Sequence, residues 1–259
     1  MKINFDLHTH TTYSHGKGTV MENALSAADK GLYGIGITDH GFSHPAFGMR
    51  RRKLGDMRAD VTEAEKKSGV KVLLGIEANI IGLSGATDVK KSDYEYLDLY
   101  LAGIHRFVKC DKFSDYFKLL GANMFANAFR VKPPKSLVRD CTAAYVNAIK
   151  NNPIDIVTHV NFCCFADAVE VARCCEDYGT YFEINTKKTH LSDEEWQNVI
   201  DKTNVGFVVD SDAHSPDRVG DTLLADELMK RVKFPENRIF NMYGNVPDLR
   251  YTRFKKEKL

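Results

Sequence analysis

The sequence predicts an α/β fold with a parallel sheet that is either closed as a barrel or doubly wound. We count seven short, β-rich runs that alternate with helical patterns along the chain. Several runs lack clean polar alternation, as expected of strands buried on both faces. Because α/β barrels of about this length commonly form one unit, we expect a single domain over residues 1–259.

The first predicted strand and its turn, residues 6–16, hold three of the nine histidines. In an extended strand Asp6, His8 and His10 project to the same face. Imidazole is the commonest side-chain metal ligand, and a pair at this spacing can share one ion. The alternative is that these polar residues simply close a strand at the surface.

The next elements repeat the pattern of a strand that ends on a possible ligand. A helix begins at the capping box of Thr19 and Glu22, Gly31 stops it, and the following strand ends in Asp39 and His40. A charged helix over about 53–68 then precedes two more predicted strands. They cover residues 70–76, which lead to Glu77, and 97–104, which lead to His105.

The second half of the chain continues in the same way. Two prolines at 133–134 suit a helix start, and the strand at 154–158 delivers His159. A helix near 166–178, a strand at 180–185 and a helix capped by Ser192 and Glu195 follow. The last strand, 205–209, runs into Asp212 and His214, again two residues apart. We expect the charged tail, 253–258, to fray.

The global composition excludes some classes of protein. Thirty-six Lys and Arg against thirty-five Asp and Glu leave a formal charge of +1, which disfavours nucleic acid as a partner. The six cysteines show no Cys-x-x-Cys spacing, so we expect them to be reduced. An apolar signal segment and an apolar run of membrane-spanning length are both missing, which predicts a cytoplasmic protein with no membrane partner.

The ligand-type residues should meet at one place. In α/β barrels the residues that end successive strands are brought together at the carboxyl end of the barrel. Scattered core histidines would not follow strand ends in this regular way. The sequence therefore predicts a metal site formed by His8, His10, His15, His40, Glu77, His105, His159, Asp212 and His214.

These motifs resemble those of the PHP (polymerase and histidinol phosphatase) superfamily, most closely its free-standing trinuclear-zinc phosphatase branch. The resemblance covers nearly the whole chain. It is carried by Asp-Leu-His-Thr-His at 6–10, Thr-Asp-His-Gly at 38–41, Gly-Ile-Glu-Ala-Asn at 75–79, Gly-Ile-His at 103–105, Thr-His-Val at 158–160, Glu-Ile-Asn at 183–185 and Ser-Asp-Ala-His at 211–214. It implies a distorted seven-stranded (β/α)7 TIM-like barrel that holds three divalent metal ions, usually zinc, with manganese or iron also used.

The resemblance also implies how the ligands divide among the ions, with Glu77 bridging two of them. The first ion would be held by His8, His10, Glu77 and Asp212, the second by Glu77, His105 and His159, and the third by His15, His40 and His214. Two departures stand out. The segment 107–129 is longer and richer in aromatic residues than in the compact phosphatases, and residues 160–164 follow His159 where relatives usually have Pro or Gly.

The implied activity is hydrolysis of small phosphate monoesters by a metal-bound hydroxide. Asp39 is a candidate acid for the leaving oxygen or a partner that orients a ligand, and Arg106 and Arg218 are candidate phosphate contacts. His44 and His190 match no motif, and we expect them to be ordinary loop residues.

Four alternatives to this activity remain open. They are a histidinol-phosphate phosphatase, a PHP nuclease acting on DNA ends, a domain with a structural metal, and an amidohydrolase barrel. A structural site closes its coordination with four ligands, whereas nine ligand-type residues imply several ions with room for water or substrate. The usual bridging lysine of amidohydrolases is absent from this sequence.

Overall fold

The computed structural model describes residues 1–129 and 131–258. Within them, seven parallel strands form one sheet whose order in space is their order in the chain. The strands are β1 (Phe5–Thr9), β2 (Gly34–Ile37), β3 (Lys71–Asn79), β4 (Leu99–Gly103), β5 (Ile156–Val157), β6 (Tyr181–Asn185) and β7 (Phe207–Asp210). This confirms the predicted α/β fold and decides for the barrel over the doubly wound sheet.

The barrel is nearly closed between β1 and β7, and side chains replace part of the missing ladder. Thr9 and Ala213 form a single parallel bridge just beyond the end of β7. The Asp210 carboxylate accepts the Leu7 N–H at 2.7 Å, and the Asp6 carboxylate accepts the Ser211 N–H at 3.0 Å. These bonds satisfy backbone donors along a seam where strand pairing is incomplete.

Helices cover the outside of the sheet. They are α1 (Val20–Asp29), α2 (Leu54–Ser68), α3 (Phe113–Asp115), α4 (Ala122–Ala128), α5 (Lys135–Asn151), α6 (Ala168–Tyr178), α7 (Asp193–Lys202), α8 (Leu223–Arg231) and α9 (Arg250–Lys258), with a π-helical segment (Tyr116–Gly121) between α3 and α4. Both predicted capping boxes are present, at the starts of α1 and α7. One large apolar core lies between sheet and helices, and a smaller one that includes Leu7 and Leu101 fills the barrel.

The prediction that the charged tail frays is wrong. Residues 250–258 form α9, whose buried Tyr251 donates its hydroxyl to the Tyr94 carbonyl at 2.9 Å. The Lys255 ammonium donates to the Leu97 carbonyl at 2.7 Å. One aromatic side chain packed on the barrel outweighs the polar composition of this segment, because tertiary packing supplies most helical stability in proteins.

The remaining fold-level expectations concern cysteines and membranes. All six cysteines lie within the described residues, and all are free and buried, as expected of reduced thiols. Among the helices of the described residues, none has both the length and the apolar character needed to cross a bilayer.

Candidate metal centre

The end of β1 contributes two buried imidazoles to the centre. The backbone at this end of β1 is held by the segment after β7, because the His10 N–H donates to the Ala213 carbonyl at 2.8 Å. The Nε2 atoms of His8 and His10 lie 3.1 Å apart, and Asp212 Oδ1 is 3.2 Å from His10 Nε2. The alternation of the strand thus places His8 and His10 on one face, as predicted. The neighbouring position of β1 and β7 brings Asp212 to them from a distant part of the chain.

Glu77, within β3, lies at the middle of the cluster and is fully buried. Its Oε1 is 2.6 Å from His159 Nε2, 2.9 Å from His105 Nε2 and 3.3 Å from His8 Nε2. Its Oε2 is 2.6 Å from His40 Nδ1 and 3.7 Å from His10 Nε2. One carboxylate is therefore surrounded by imidazoles from several strand ends.

Several further histidine rings lie on the solvent side of Glu77. The ring centroids of His15 and His40 are 4.8 Å apart in a stacked arrangement, and those of His15 and His214 are 4.3 Å apart. The His10 and His40 centroids are 4.3 Å apart. His15 is the most exposed member of the group. All nine predicted ligand residues are therefore brought to one end of the barrel.

The charges inside the cluster divide its histidines into two kinds. Burial disfavours the charged form of His8, yet the carboxylates of Glu77, Glu183 and Asp212 outweigh it and raise its pKa well above the usual range. Burial and the charge of His40 lower the pKa of His10 far below its usual range. Burial with the charges of His40 and His214 lowers the pKa of His15 to about 3. Neutral imidazoles with free nitrogen lone pairs are the form that binds metal.

Several polar atoms of the cluster fit bound cations better than they fit one another. The Nε2 atoms of His105 and His159 face each other at 3.3 Å, as those of His8 and His10 do. Among the described residues Glu77 Oε2 has no hydrogen-bond partner, because its short contact with His40 lacks hydrogen-bond geometry, and His10 Nδ1 has none there either. Buried imidazole nitrogens and carboxylate oxygens that converge in this way are the donor set that a divalent cation satisfies.

In the part of the chain that the structure describes, ligand atoms within 4.8 Å of one another fall into four overlapping groups. They are His10–His40–His214, His8–Glu77–His159, His8–His10–Asp212 and His40–Glu77–His105. The third group matches three of the four residues of the first predicted ion. His15 belongs to none of these groups, although its ring lies beside two members. The division of ligands among three ions stays a prediction.

Two further buried residues hold the histidines, and sequence reasoning gave neither of them a role. Glu183 Oε1 lies 2.5 Å from His8 Nδ1, and Oε2 accepts the His159 N–H at 2.6 Å. Asn79 Oδ1 lies 2.8 Å from His105 Nδ1. Such partners fix the ring orientation and tautomer of a ligating histidine. Both residues stand within the sequence motifs, which was the available signal, but their partners are remote in the chain.

Asp39 holds the loop after β1 in place. Its buried carboxylate accepts the backbone N–H groups of Thr11 at 2.8 Å and of Ser14 at 3.1 Å, and it accepts both of their hydroxyls. Burial raises the pKa of Asp39 to about 6 against these hydrogen bonds. This loop carries His15, so Asp39 positions a predicted ligand without contacting its ring. The role of Asp39 as a proton donor stays a prediction.

A cavity of about 390 Å³ opens above the cluster. Its wall includes the predicted phosphate contact Arg106, and also Lys187, Lys188 and the two histidines expected to be ordinary loop residues, His44 and His190. The Lys187 ammonium lies 3.1 Å from His214 Nδ1 and 3.3 Å from Asp212 Oδ1. Lys187 follows a strand end in the sequence, but no motif singled it out.

Arg218 lies apart from this cavity. Its guanidinium pairs with Asp221 Oδ2 at 2.7 Å, and it is not among the described residues that line the cavity. The structure therefore brings one of the two predicted arginines to the mouth of the site and leaves the other in a local ion pair. A role for Arg218 in phosphate binding stays a prediction.

The fold and this cluster together define an α/β barrel with a candidate metal centre at the carboxyl ends of its strands. The family model of the PHP domain matches residues 6–187. The chain therefore belongs to the PHP domain family, as the motifs predicted.

Relatives of similar length carry a phosphatase name. A "probable phosphatase" of Caldanaerobacter subterraneus subsp. tengcongensis is 30% identical over 250 residues, covering 93% of this chain and 88% of the relative. Another from Thermoanaerobacter sp. is 29% identical and covers 100% of this chain and 98% of the relative. These relatives confirm the predicted enzyme class, a phosphatase.

Among solved structures, the chain resembles a histidinol phosphate phosphatase from Lactococcus lactis subsp. lactis, determined with zinc, L-histidinol and phosphate. The TM-score is 0.57 with 13% identity, covering 90% of this chain and 94% of the other. At this identity the likeness shows a shared fold.

Proposed function

We propose that this chain is a PHP phosphatase that hydrolyses small phosphate monoesters with three divalent metal ions, zinc in the first instance. The observation that carries the proposal is the convergence of imidazole nitrogens on the buried Glu77 carboxylate beneath an open cavity. Closed structural sites use four ligands, whereas this cluster offers more donors than one ion can take. The phosphatase name of the relatives supports the same reaction.

We propose the ligand division that the family resemblance implied. His8, His10, Glu77 and Asp212 would hold one ion, Glu77, His105 and His159 a second, and His15, His40 and His214 a third. Bound divalent ions lower the pKa of water, orient phosphate oxygens and neutralise charge on the phosphoryl group. We further propose that residues 1–259 form one phosphoesterase domain.

The protein's own groups position the substrate. Arg106 and Lys187 border the cavity, and Lys188 lies beside them, so three cationic side chains surround the entrance to the cluster. Arg and Lys are well suited to phosphate oxygens. Glu183 and Asn79 contact the Nδ1 atoms of His8 and His105 and so fix the orientation of these two rings.

The test is hydrolysis of a panel that includes phosphate monoesters, histidinol phosphate, phosphate diesters and single-stranded DNA. We expect monoester hydrolysis that prolonged chelation abolishes and that zinc or manganese restores. Full activity in a sample verified to be metal-free would overturn the proposed mechanism. Preference for single-stranded DNA would replace it with the nuclease alternative.

A further inference from the structure

We propose that the leaving group of the natural substrate is a planar apolar group, such as an aromatic ring, which binds in an aromatic channel above the metal centre. The channel consists of Phe47, Phe107 and Phe162 at the mouth of the main cavity and a second cavity beyond Phe107. The proposal rests on the phosphatase function and specifies its substrate class.

The mouth of the main cavity is walled by aromatic side chains from three different loops. Phe47 follows β2, Phe107 follows β4 and Phe162 follows β5, and all three line the cavity that has the metal cluster as its floor. Their exposed fractions are 45%, 57% and 38%. Contiguous exposed apolar surface rimmed by polar groups marks a binding site in a soluble protein.

Two of the rings at the mouth pack against neighbouring imidazoles, one in a stacked and one in a tilted arrangement, and these contacts hold them in the wall of the cavity. The Phe47 ring lies 4.9 Å from His44 in a stacked arrangement, and the Phe162 ring lies 5.0 Å from His190. A planar ligand inserted between such walls gains the offset or edge contacts that aromatic pairs prefer. This gives His44 and His190 a role in shaping the cavity.

Phe107 lies between the main cavity and a second one. It lines both cavities, and the second, of about 190 Å³, is otherwise lined by Phe113, Tyr116, Phe117, Leu120, Gly121 and Met124. A cavity of roughly 150 Å³ lined by apolar side chains can hold benzene. The second cavity therefore has room for one aromatic ring next to the phosphate site.

The backbone around the channel is unusual in a way that favours a functional role. Phe107 has φ of 59°, a left-handed backbone conformation that a bulky side chain rarely adopts. Part of the wall of the second cavity is the π-helical segment Tyr116–Gly121, and π-helical turns occur frequently at functional sites. Both features place large side chains along the channel.

Charge and hydrogen bonding argue against a sugar or a polyol as the leaving group. Among the described residues that line the main cavity, Asp212 is the one carboxylate, and it is a proposed metal ligand. On the wall, His44 Nδ1 already accepts the backbone N–H of Phe47 at 2.9 Å. In the second cavity hydroxyl groups would lack partners, because the Tyr116 hydroxyl is the one polar side-chain group among the described residues that line it, so a sugar or a polyol would bind poorly there. The cationic rim still suits the phosphate.

The experiment compares primary-alkyl monoesters whose leaving oxygens have similar basicity, so that differences report binding of the organic part. The set is ethyl phosphate, 2-phenylethyl phosphate and glycerol phosphate, with the metal-loaded full chain. We expect kcat/KM for the phenylethyl ester to exceed that for the ethyl ester by about tenfold or more, because a phenyl ring leaves water. Phe107→Ala should lower this ratio about fivefold or more.

Phe125→Ala is the matched control. Phe125 is 59% exposed, close to the 57% of Phe107, and it is not among the described residues lining either cavity. The control should keep the wild-type ratio. A ratio near one in the wild type, a preference for glycerol phosphate, or equal ratios in Phe107→Ala and Phe125→Ala would each overturn the channel.

Two further measurements separate this inference from the proposed function. If no monoester is hydrolysed, the phosphatase proposal fails, and calorimetry with 2-phenylethylphosphonate against ethylphosphonate still tests the channel. Tighter binding of the phenylethyl compound that Phe107→Ala removes would support it, and equal binding would overturn it. Sedimentation tests the competing occupant, a second copy of the chain. Self-association abolished by Phe107→Ala with an unchanged substrate ratio would overturn the channel.

Discussion

Glu77 and Asp155 are both fully buried carboxylates of the same barrel, but they have opposite surroundings. Asp155 lies just before β5, where it accepts the backbone N–H groups of Tyr100 at 2.8 Å and Tyr251 at 2.7 Å. Glu77 lies within β3 near its carboxyl end and is surrounded by imidazole nitrogens.

The difference teaches how to distinguish a structural carboxylate from a ligand. Backbone N–H groups are permanent donors, so Asp155 is satisfied by the protein alone. Imidazoles can be donors or acceptors, so the ring of them around Glu77 is the surrounding that we expect of a metal-binding carboxylate. Burial raises the pKa of Asp155 to about 7, whereas the charges of His105, His8 and His40 outweigh burial and lower the pKa of Glu77 well below its usual range.

The largest expected effect follows from removing the charge at Glu77. Glu77→Gln should lower phosphatase kcat by more than the roughly 10- to 100-fold that is typical of changing a residue that contacts a metal ligand but not the metal. The neutral amide cannot offset two cations, and its NH₂ group would face an imidazole nitrogen. Steady-state kinetics and thermal melting on the same preparation measure activity and folding together.

Asp155→Asn is the matched control for that substitution. It should stay folded, because its amide keeps one of the two backbone N–H bonds and is neutral, as is the protonated carboxyl that the raised pKa of Asp155 favours. Its activity at a temperature where it is folded should match the wild type. If Asp155→Asn lost activity as severely as Glu77→Gln, the distinction between the two carboxylates would fail.

A smaller effect is expected from changing Glu183, which contacts proposed ligands without being one. Glu183→Gln leaves every proposed ligand in place but weakens the hold on His8 and on the His159 backbone. We expect metal affinity or kcat/KM to fall by roughly 10- to 100-fold. Titration with zinc in a competing chelator measures the affinity, and an unchanged affinity would remove Glu183 from the account.

Substitution of the two arginines should affect kcat/KM to different extents. Arg106→Ala should reduce kcat/KM by about 1–3 kcal/mol of transition-state stabilisation through loss of a phosphate contact, with metal content unchanged. Arg218→Ala should have a smaller effect, because Arg218 pairs with Asp221 outside the cavity. Equal losses in the two variants would show that Arg218 reaches the substrate, as the sequence hypothesis holds.

The smallest effect on activity, but a measurable one on stability, concerns the titration of Asp155. Its pKa in the folded protein, about 7, is above the ordinary 3.8, so the folded state binds this proton more tightly than the unfolded state. The stabilisation is present in full below pH about 4 and is lost as the pH rises through about 7. Urea unfolding should therefore show the wild type losing up to about 4 kcal/mol relative to Asp155→Asn over this range. A pH-independent difference would contradict the raised pKa.

Much of the candidate site could be predicted from the sequence because strand ends in a barrel meet. The order of the motifs placed all nine ligand-type residues, including Asp212, more than two hundred positions from His8. Local rules also sufficed for the capping boxes of α1 and α7.

Other features depend on contacts that local sequence does not encode. The roles of Glu183 and Asn79 require partners on distant strands, and the position of Lys187 depends on the loop after β6. The helix α9 forms because Tyr251 packs on the barrel. The charged residues that flank Tyr251 along the chain do not indicate this packing. Likewise, the aromatic richness of 107–129 was visible, but its place beside the metal centre was not.

The most direct test of the central claim is the metal content of the wild type, Glu77→Gln and His15→Ala, measured by elemental analysis at equilibrium with the same zinc buffer. We expect three ions per chain in the wild type. Glu77→Gln should lose occupancy at two positions together, whereas His15→Ala should lose mainly one ion, since His15 lies at the exposed side of the cluster. A folded Glu77→Gln protein that keeps the wild-type metal content and turnover would contradict the bridging role of Glu77 and the arrangement built around it.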